Sequence, residues 1–214
     1  MKADTKRALR SLLLLLLWLP LAAPAESQAP REYEIELLVF QDLRADDGGE
    51  VWPVDYSQWF EDEQTPSADE QGATQVTWLP PAAYHLAAEK NALARSRRYR
   101  PLAYFAWRQP VLDRRHALPL RLPAERHGDS DAWVDGRVRV AVERYLHLYL
   151  DLKLHLPYSA EQLDQLDGEV PEIRLRERRR MRSGELHYFD NPRFGIIALI
   201  TPVGEDKADS GGNY

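Results

Sequence analysis

Residues 138–156 read VRVAVERYLHLYLDLKLHL, and the alternation of apolar and polar side chains in this stretch decides the fold. One set of alternate positions is apolar except at Arg144, and comprises Val138, Val140, Val142, Leu146, Leu148, Leu150, Leu152, Leu154 and Leu156. The other set comprises Arg139, Ala141, Glu143, Tyr145, His147, Tyr149, Asp151, Lys153 and His155. A period of two indicates β-strand with one buried and one solvent face, because a helix would scatter the leucines around its circumference.

The stretch is too long to run as one straight strand. Its 19 residues would extend over roughly 60 Å at about 3.3 Å per residue, whereas a domain of this size has a radius of gyration of only about 16 Å. We therefore expect the segment to bend, coil or split in two. The irregularity is placed at Arg144, because an arginine on the core face requires a bulge or a buried partner.

The segments around it predict the remaining elements. Residues 33–41 (YEIELLVFQ) and 194–202 (FGIIALITP) are apolar on both faces, which predicts two central strands. A helix is expected over 82–97 after Pro80-Pro81, and a strand over 99–109, so this order favours a right-handed crossover. Residues 111–133 are expected to be irregular.

Residues 172–182 (EIRLRERRRMR) predict the hairpin partner of the long stretch. Ser183-Gly184 is expected to form a bulge, because Leu186 and Tyr188 then take the opposite parity. The predicted fold class is α+β, a mostly antiparallel sheet with a long bent C-terminal hairpin and one main crossover helix. It is expected to form one domain over 26–203, with a disordered tail at 204–214.

The first 25 residues have the pattern of a signal peptide. A basic head with Lys2 and Arg10 precedes an uncharged run, and Ala23-Pro24-Ala25 offers the small residues of a cleavage site. The apolar run is shorter than the ~20 residues that span a bilayer comfortably. We therefore expect cleavage after Ala25 and export to the periplasm, with no integral membrane segment in the mature chain. The alternative is an uncleaved anchor.

Composition excludes several function classes. The chain contains no cysteine, which rules out disulfides, thiol catalysis and zinc–thiolate sites. The chain has 28 basic and 34 acidic residues. The leader holds four of the basic residues (Lys2, Lys6, Arg7 and Arg10) and one acidic residue (Asp4). The mature chain therefore has 24 basic and 33 acidic residues, a net charge of −9. This acidity argues against nucleic acid as a partner. The sequence predicts neither a metal nor another cofactor.

Residues 42–75 form an acidic segment with ten carboxylates and one basic residue, Arg44, which predicts a mobile solvated loop. Within it lie four aromatic residues, Trp52, Tyr56, Trp59 and Phe60. Such residues usually tether a loop to the body of the protein. The alternative is a surface that docks a partner or stacks on sugars.

The most unusual feature is a row of arginines at alternate positions: Arg174, Arg176, Arg178, Arg180 and Arg182. Across the predicted hairpin, Tyr145, His147 and Tyr149 are expected on the same face. Guanidinium forks bind carboxylates bidentately, and aromatic rings beside hydrogen-bonding groups suit sugars, so this face is a candidate peptidoglycan-binding site. The alternative interpretation is a solvated face or ion pairs with the acidic loop.

A catalytic site has weak support in the sequence. Glu185, His187 and Asp190 in the run 182–192 (RSGELHYFDNP) would suit acid–base chemistry or metal ligation, although such a run is more often a turn. The hydrolase motifs GxSxG, HExxH and SxxK do not occur. Glycosidase carboxylates far apart in sequence are left open. We therefore expect a protein that is not an enzyme.

Several segments together resemble the CsiV family of periplasmic peptidoglycan-binding proteins. They are YEIELLVF at 33–40, VWP at 51–53, YRPLAYFAWRQP at 99–110, RYLHLYLDLKL at 144–154 and RRRMRSGELHYFDNPRFGIIALITP at 178–202, after an exported leader. Asn191 stands where a histidine (HYFDHP) is expected in relatives, which weakens a metal or acid–base role for this turn.

The resemblance implies an accessory factor in cell-wall assembly that acts with LpoA, the lipoprotein activator of a class A penicillin-binding protein. We expect a non-enzymatic periplasmic protein that binds peptidoglycan and supports or regulates wall assembly. The alternative is a protein–protein adaptor for a synthase complex, without glycan affinity, that docks through residues 52–60.

Overall fold

The computed structural model of the chain describes residues 30–44, 76–124, 131–165 and 172–204. In chain order the elements are β1 (Glu32–Asp42), β2 (Thr77–Trp78), a single-turn 3-10 helix (Pro81–Ala83), α1 (Ala87–Arg95), β3 (Tyr99–Pro110), β4 (Leu120–Leu122), β5 (Trp133–Val142), β6 (Leu146–His155), α2 (Ala160–Gln165), β7 (Ile173–Met181), β8 (Leu186–Asn191) and β9 (Phe194–Pro202). The predicted leader, most of the acidic loop and the predicted tail after Gly204 lie outside these residues.

Five strands form the first sheet in the order β2-β3-β1-β9-β8, and each neighbouring pair is antiparallel. β1 lies in the middle, between β3 and β9, and its apolar residues are buried on both faces of the sheet. The two central strands predicted from apolar runs are therefore confirmed. The strand predicted over 99–109 is confirmed as β3.

The second sheet has four strands in the order β4-β5-β6-β7. The long alternating stretch splits here into β5 and β6, which pair antiparallel up to Val142 opposite Leu146. The predicted break at Arg144 is confirmed, but it is a tight turn with Arg144 exposed, so no bulge or buried partner is needed. β7 pairs with β6, as predicted for residues 172–182.

The two sheets pack face to face around one apolar core. Phe105 and Trp107 of β3 lie in the same buried cluster as Leu148, Leu150 and Leu152 of β6. Val138 and Val140 of β5 join this cluster, so the apolar set read from the sequence is the core-facing set. The polar set of the same strands consequently points away from the core.

The fold class is mainly β, which corrects the prediction of α+β with a crossover helix. β1 and β3 are antiparallel neighbours, paired from Glu32 opposite Pro110 to Asp42 opposite Tyr99, so α1 between them does not make a parallel crossover. No helix among the described residues has the length and apolar character to span a membrane.

Two local predictions also need correction. Residues 111–133 are not all irregular, because β4 forms there and pairs with β5. Ser183-Gly184 is not a bulge: it lies in the turn that takes the chain from β7 to β8 in the other sheet, and Gly184 has φ 76°, which glycine adopts without strain.

The predicted helix over 82–97 begins later because of a buried carboxylate on β1. Glu36 accepts hydrogen bonds from the backbone N–H of His85 at 3.0 Å and of Leu86 at 3.3 Å. It also lies 2.5 Å from Nδ1 of His85 and accepts the hydroxyl proton of Tyr104. These bonds hold residues 84–86 in a bend, so α1 starts only at Ala87. Burial raises the pKa of Tyr104, and its bond to Glu36 adds to this effect.

Glu36→Ala is expected to lower the free energy of unfolding by about 3 kcal/mol, because it leaves the backbone N–H of His85 and the hydroxyl of Tyr104 without their acceptor. Tyr104→Phe removes the hydroxyl that donates to Glu36 and accepts from the N–H of Leu86. The carboxylate remains as an acceptor for that N–H, so we expect a loss of about 1 kcal/mol. Urea unfolding of both variants measures the difference. Equal losses would contradict the assignment of Glu36 as the anchor of this segment.

Candidate functional site

The side chains of β4 to β7 that point away from the shared core form one surface, which we call the cationic face. Antiparallel pairing places residues of neighbouring strands directly opposite one another across it. On these described strands its cationic residues are Arg121, Arg137, Arg139, Lys153, Arg174, Arg176, Arg178 and Arg180, and its carboxylates are Asp135 and Asp151. The face therefore carries a large excess of positive charge within an acidic protein.

One end of the cationic face is held by internal ion pairs. Arg174 donates Nε to Oδ1 of Asp151 at 2.6 Å and Nη2 to Oδ2 at 2.7 Å, a bidentate fork. The bond to Asp151 raises the pKa of Arg174. Glu172 also pairs with Arg174, and a hydrogen bond from Lys153 lowers the pKa of Glu172. Arg176 is largely buried, and its Nε lies 3.9 Å from Asp151. These two arginines are consequently engaged within the protein.

At the other end the guanidinium groups lie on tyrosine rings. Tyr149 stands opposite Arg139 on one side and Arg178 on the other, with their Cζ atoms 4.2 Å and 5.3 Å from its ring centre. Leu112 and Ala117 pack in the same small apolar cluster, and Tyr149 is only 5% exposed. Tyr149 therefore supports guanidinium groups and does not offer its ring to a sugar.

Tyr145 forms a second ring support at the turn between β5 and β6. The Cζ atom of Arg180 lies 3.4 Å from the centre of its ring, and that of Arg144 lies 5.4 Å away. Nδ1 of His147 lies 3.0 Å from the carbonyl oxygen of Tyr145. Arg178 and Arg180 are both exposed, and no carboxylate of the described residues pairs with either of them.

The structure thus divides the predicted site. It brings Arg178 and Arg180 together with Tyr145, His147 and Tyr149, whereas Arg174 and Arg176 are paired at the far end. Arg182 lies past the end of β7, 72% exposed and 3.6 Å from Glu185. The cluster at the turn end of the cationic face, which we call the arginine–tyrosine cluster, is the candidate site.

Ion pairs with the acidic loop were the alternative interpretation of the arginine row. The partners that the structure gives to Arg174 are Asp151 and Glu172, and neither belongs to that loop. Loop residues 45–75 lie outside the described part of the chain. The same holds for Trp52, Tyr56, Trp59 and Phe60, so the adaptor surface predicted there remains a prediction.

Sequence reasoning did not include three arginines of the cationic face in the candidate site. Arg137 and Arg139 precede the turn on the polar parity of β5, and Arg121 lies in a segment that was expected to be irregular. Arg121 stands directly opposite Arg137, a like-charge pair that lowers sheet stability. The polar alternation around Arg139 was the available signal, because it continues the period of two seen after the turn.

The polar side chains of the run 182–192 have local partners in the structure. Nε2 of His187 accepts a bond from the backbone N–H of Arg182 at 3.1 Å, and Asp190 accepts the hydroxyl proton of Tyr188 at 2.8 Å. Asn191 accepts the N–H of Arg193 at 3.0 Å, as expected for a turn before Pro192. Within the described ranges no three His, Asp or Glu side chains are placed to hold a metal ion.

Comparison with known proteins identifies the family. A family model described as "Peptidoglycan-binding protein, CsiV" matches residues 11–203. The chain belongs to the CsiV family. No curated protein and no solved structure matches the chain significantly.

The segments that carry the CsiV resemblance are mostly core strands. YEIELLVF lies in β1, YRPLAYFAWRQP is β3, and the run 178–202 covers the end of β7 together with β8 and β9. The VWP segment at 51–53 lies outside the described residues. The family likeness therefore extends over both sheets.

Asp151→Asn is expected to lower the free energy of unfolding by about 2 kcal/mol, because it removes the only carboxylate between the arginines of β5 and β7 in the described structure. Asp131→Asn changes the same charge at an exposed position and should stay within about 0.5 kcal/mol of the parent. Urea unfolding tests both. A cost for Asp151→Asn no larger than that for Asp131→Asn would show that the fork does not stabilise the sheet.

Proposed function

We propose that this protein is a non-enzymatic, periplasmic peptidoglycan-binding factor that binds the cell wall through the arginine–tyrosine cluster. The observation that carries the proposal is the pair of exposed guanidinium groups, Arg178 and Arg180, held over tyrosine rings on a rigid sheet. The description of the CsiV family as peptidoglycan-binding supports the same function.

The geometry of the cluster favours binding over chemistry. A guanidinium stacked on a tyrosine ring is stabilised by about 0.5–2 kcal/mol and keeps the N–H groups of its edge available. Arginine presents these donors in a planar fork that suits carboxylates. The strand pairing of β5, β6 and β7 holds the cluster in place, so little conformational entropy is lost when a ligand binds.

The non-enzymatic part of the proposal is supported by the local partners of the three candidate catalytic residues. Glu185 lies near Arg182, His187 accepts a backbone bond, and Asp190 is bound to Tyr188. Each of these groups serves a structural contact, and they do not converge on one point. We propose in addition that the factor supports or regulates wall assembly in the periplasm together with LpoA, as the family resemblance implies.

The direct test is co-sedimentation with purified sacculi. We expect the parent protein to pellet with sacculi and the double variant Arg178→Ser, Arg180→Ser to bind at least about tenfold more weakly, since two charge-assisted contacts are lost. Arg176 is left intact because it is largely buried beside Asp151. The thermal midpoint of the double variant should fall by only a few degrees, because the two ring contacts that it loses involve exposed arginines.

The matched control is the double variant Arg95→Ser, Arg97→Ser. These two exposed arginines lie at and just after the end of α1, on the other sheet, and their replacement changes the net charge by the same amount. We expect the control to bind like the parent. Failure of the parent to pellet above an unrelated acidic protein would refute the proposed function, and equal loss in both variants would remove the site.

A further inference from the structure

We propose that the arginine–tyrosine cluster recognises carboxylates of the peptidoglycan stem peptides, and that Arg178 and Arg180 each bind one carboxylate through two hydrogen bonds. This inference rests on the proposed function and names the part of the polymer that the site takes. Three observations carry it: an internal example of the same contact, the charge balance of the face, and the way the rings hold the guanidinium groups.

The internal example lies on the same strand and the same face. Arg174, four residues before Arg178, already binds a carboxylate with two hydrogen bonds of 2.6 Å and 2.7 Å, and that carboxylate belongs to Asp151 of β6. Further along β6 the corresponding outward positions are Tyr149 and His147, which carry no negative charge. Arg178 and Arg180 thus have the donors of Arg174 without a carboxylate of the neighbouring strand.

The charge balance of the cationic face favours an anionic ligand. The cross-strand row Arg121, Arg137, Asp151 and Arg176 contains three arginines and one carboxylate. That carboxylate is already bound by Arg174. Like charges placed opposite each other lower sheet stability, so the excess of arginines on the described strands of this face attracts an external carboxylate.

The ring of Tyr145 orients the guanidinium group of Arg180 for a planar ligand. Cζ of Arg180 lies 3.4 Å from the centre of the Tyr145 ring, a distance at which the two groups are in direct contact. The face of the guanidinium is covered by this contact, and its N–H edge is left for hydrogen bonds. Two such residues at alternate strand positions are about 7 Å apart, which allows each to take a separate carboxylate of an extended peptide.

Carboxylates also occur on glycan strands from which the peptides have been removed, at the lactyl groups of the sugars. The stem peptide is the favoured source of the carboxylates because it carries several of them on one flexible chain. Two of these carboxylates can therefore bind Arg178 and Arg180 at the same time. The experiment therefore has to distinguish binding of the stem peptide from binding of the glycan. It also has to distinguish bidentate hydrogen bonding from attraction by charge alone.

The experiment measures binding of the parent protein to native sacculi and to sacculi whose carboxylates have been converted to neutral amides. Soluble stem peptide and peptide-free glycan strands serve as competitors. We expect amidation to weaken binding at least about tenfold, and stem peptide to compete where glycan strands do not. The variant Arg178→Lys, Arg180→Lys keeps both charges and loses the forks, so we expect binding about fivefold weaker than that of the parent.

The outcomes separate this inference from the proposed function. Equal binding to native and amidated sacculi, or competition by glycan strands as strong as that by stem peptide, overturns the inference and leaves peptidoglycan binding intact. Full binding by the lysine variant also overturns it, because charge alone would then suffice. No binding to native sacculi removes the proposed function and this inference together.

Discussion

One apolar layer, shared by two antiparallel sheets, determines where the charged side chains of β5, β6 and β7 must lie. The core-facing positions of β5 and β6 are filled mainly by valine and leucine, against Phe105 and Trp107 of the other sheet. On β7 the same face contributes Leu175 and Met181 to this core, and Glu177 and Arg179 between them pair with each other. Because side chains alternate strictly across a strand, every residue between the core-facing positions points to the opposite face. Burial at about 25 cal/mol per Å² of apolar surface fixes this register, and a slip by one residue would bring the arginines into the core.

The same constraint explains how an acidic protein acquires a cationic surface. Its acidic residues are concentrated elsewhere in the sequence, in particular over 42–75, whereas the outward positions of the second sheet hold mainly arginine. Asp151 relieves part of the repulsion by accepting the fork of Arg174. At the turn end, tyrosine rings lie against the guanidinium groups of Arg178 and Arg180. A ring contact stabilises a guanidinium group without neutralising its charge.

Most strands could be predicted from the sequence because the period of two is a local property of the chain. The break at Arg144, the central position of β1 and the pairing of β6 with β7 all followed from such patterns. The predictions that were wrong concern features that depend on contacts between residues far apart in the sequence. The late start of α1 results from Glu36, about 50 residues earlier in the chain, which binds the N–H groups of His85 and Leu86. The antiparallel pairing of β3 with β1 likewise has no local signal, since a strand–helix–strand order suits either direction.

The candidate site shows the same division between local and distant causes. Alternation placed the arginines and tyrosines on one face correctly, but it could not show which arginines are engaged within the protein. That depends on Asp151 lying opposite Arg176 rather than Arg178, a consequence of cross-strand register. The burial of Tyr149 depends on Leu112 and Ala117, which come from a segment without a strand pattern. Because that segment covers the ring, the exposed part of the cluster next to Tyr149 is the guanidinium group of Arg178 rather than an aromatic surface.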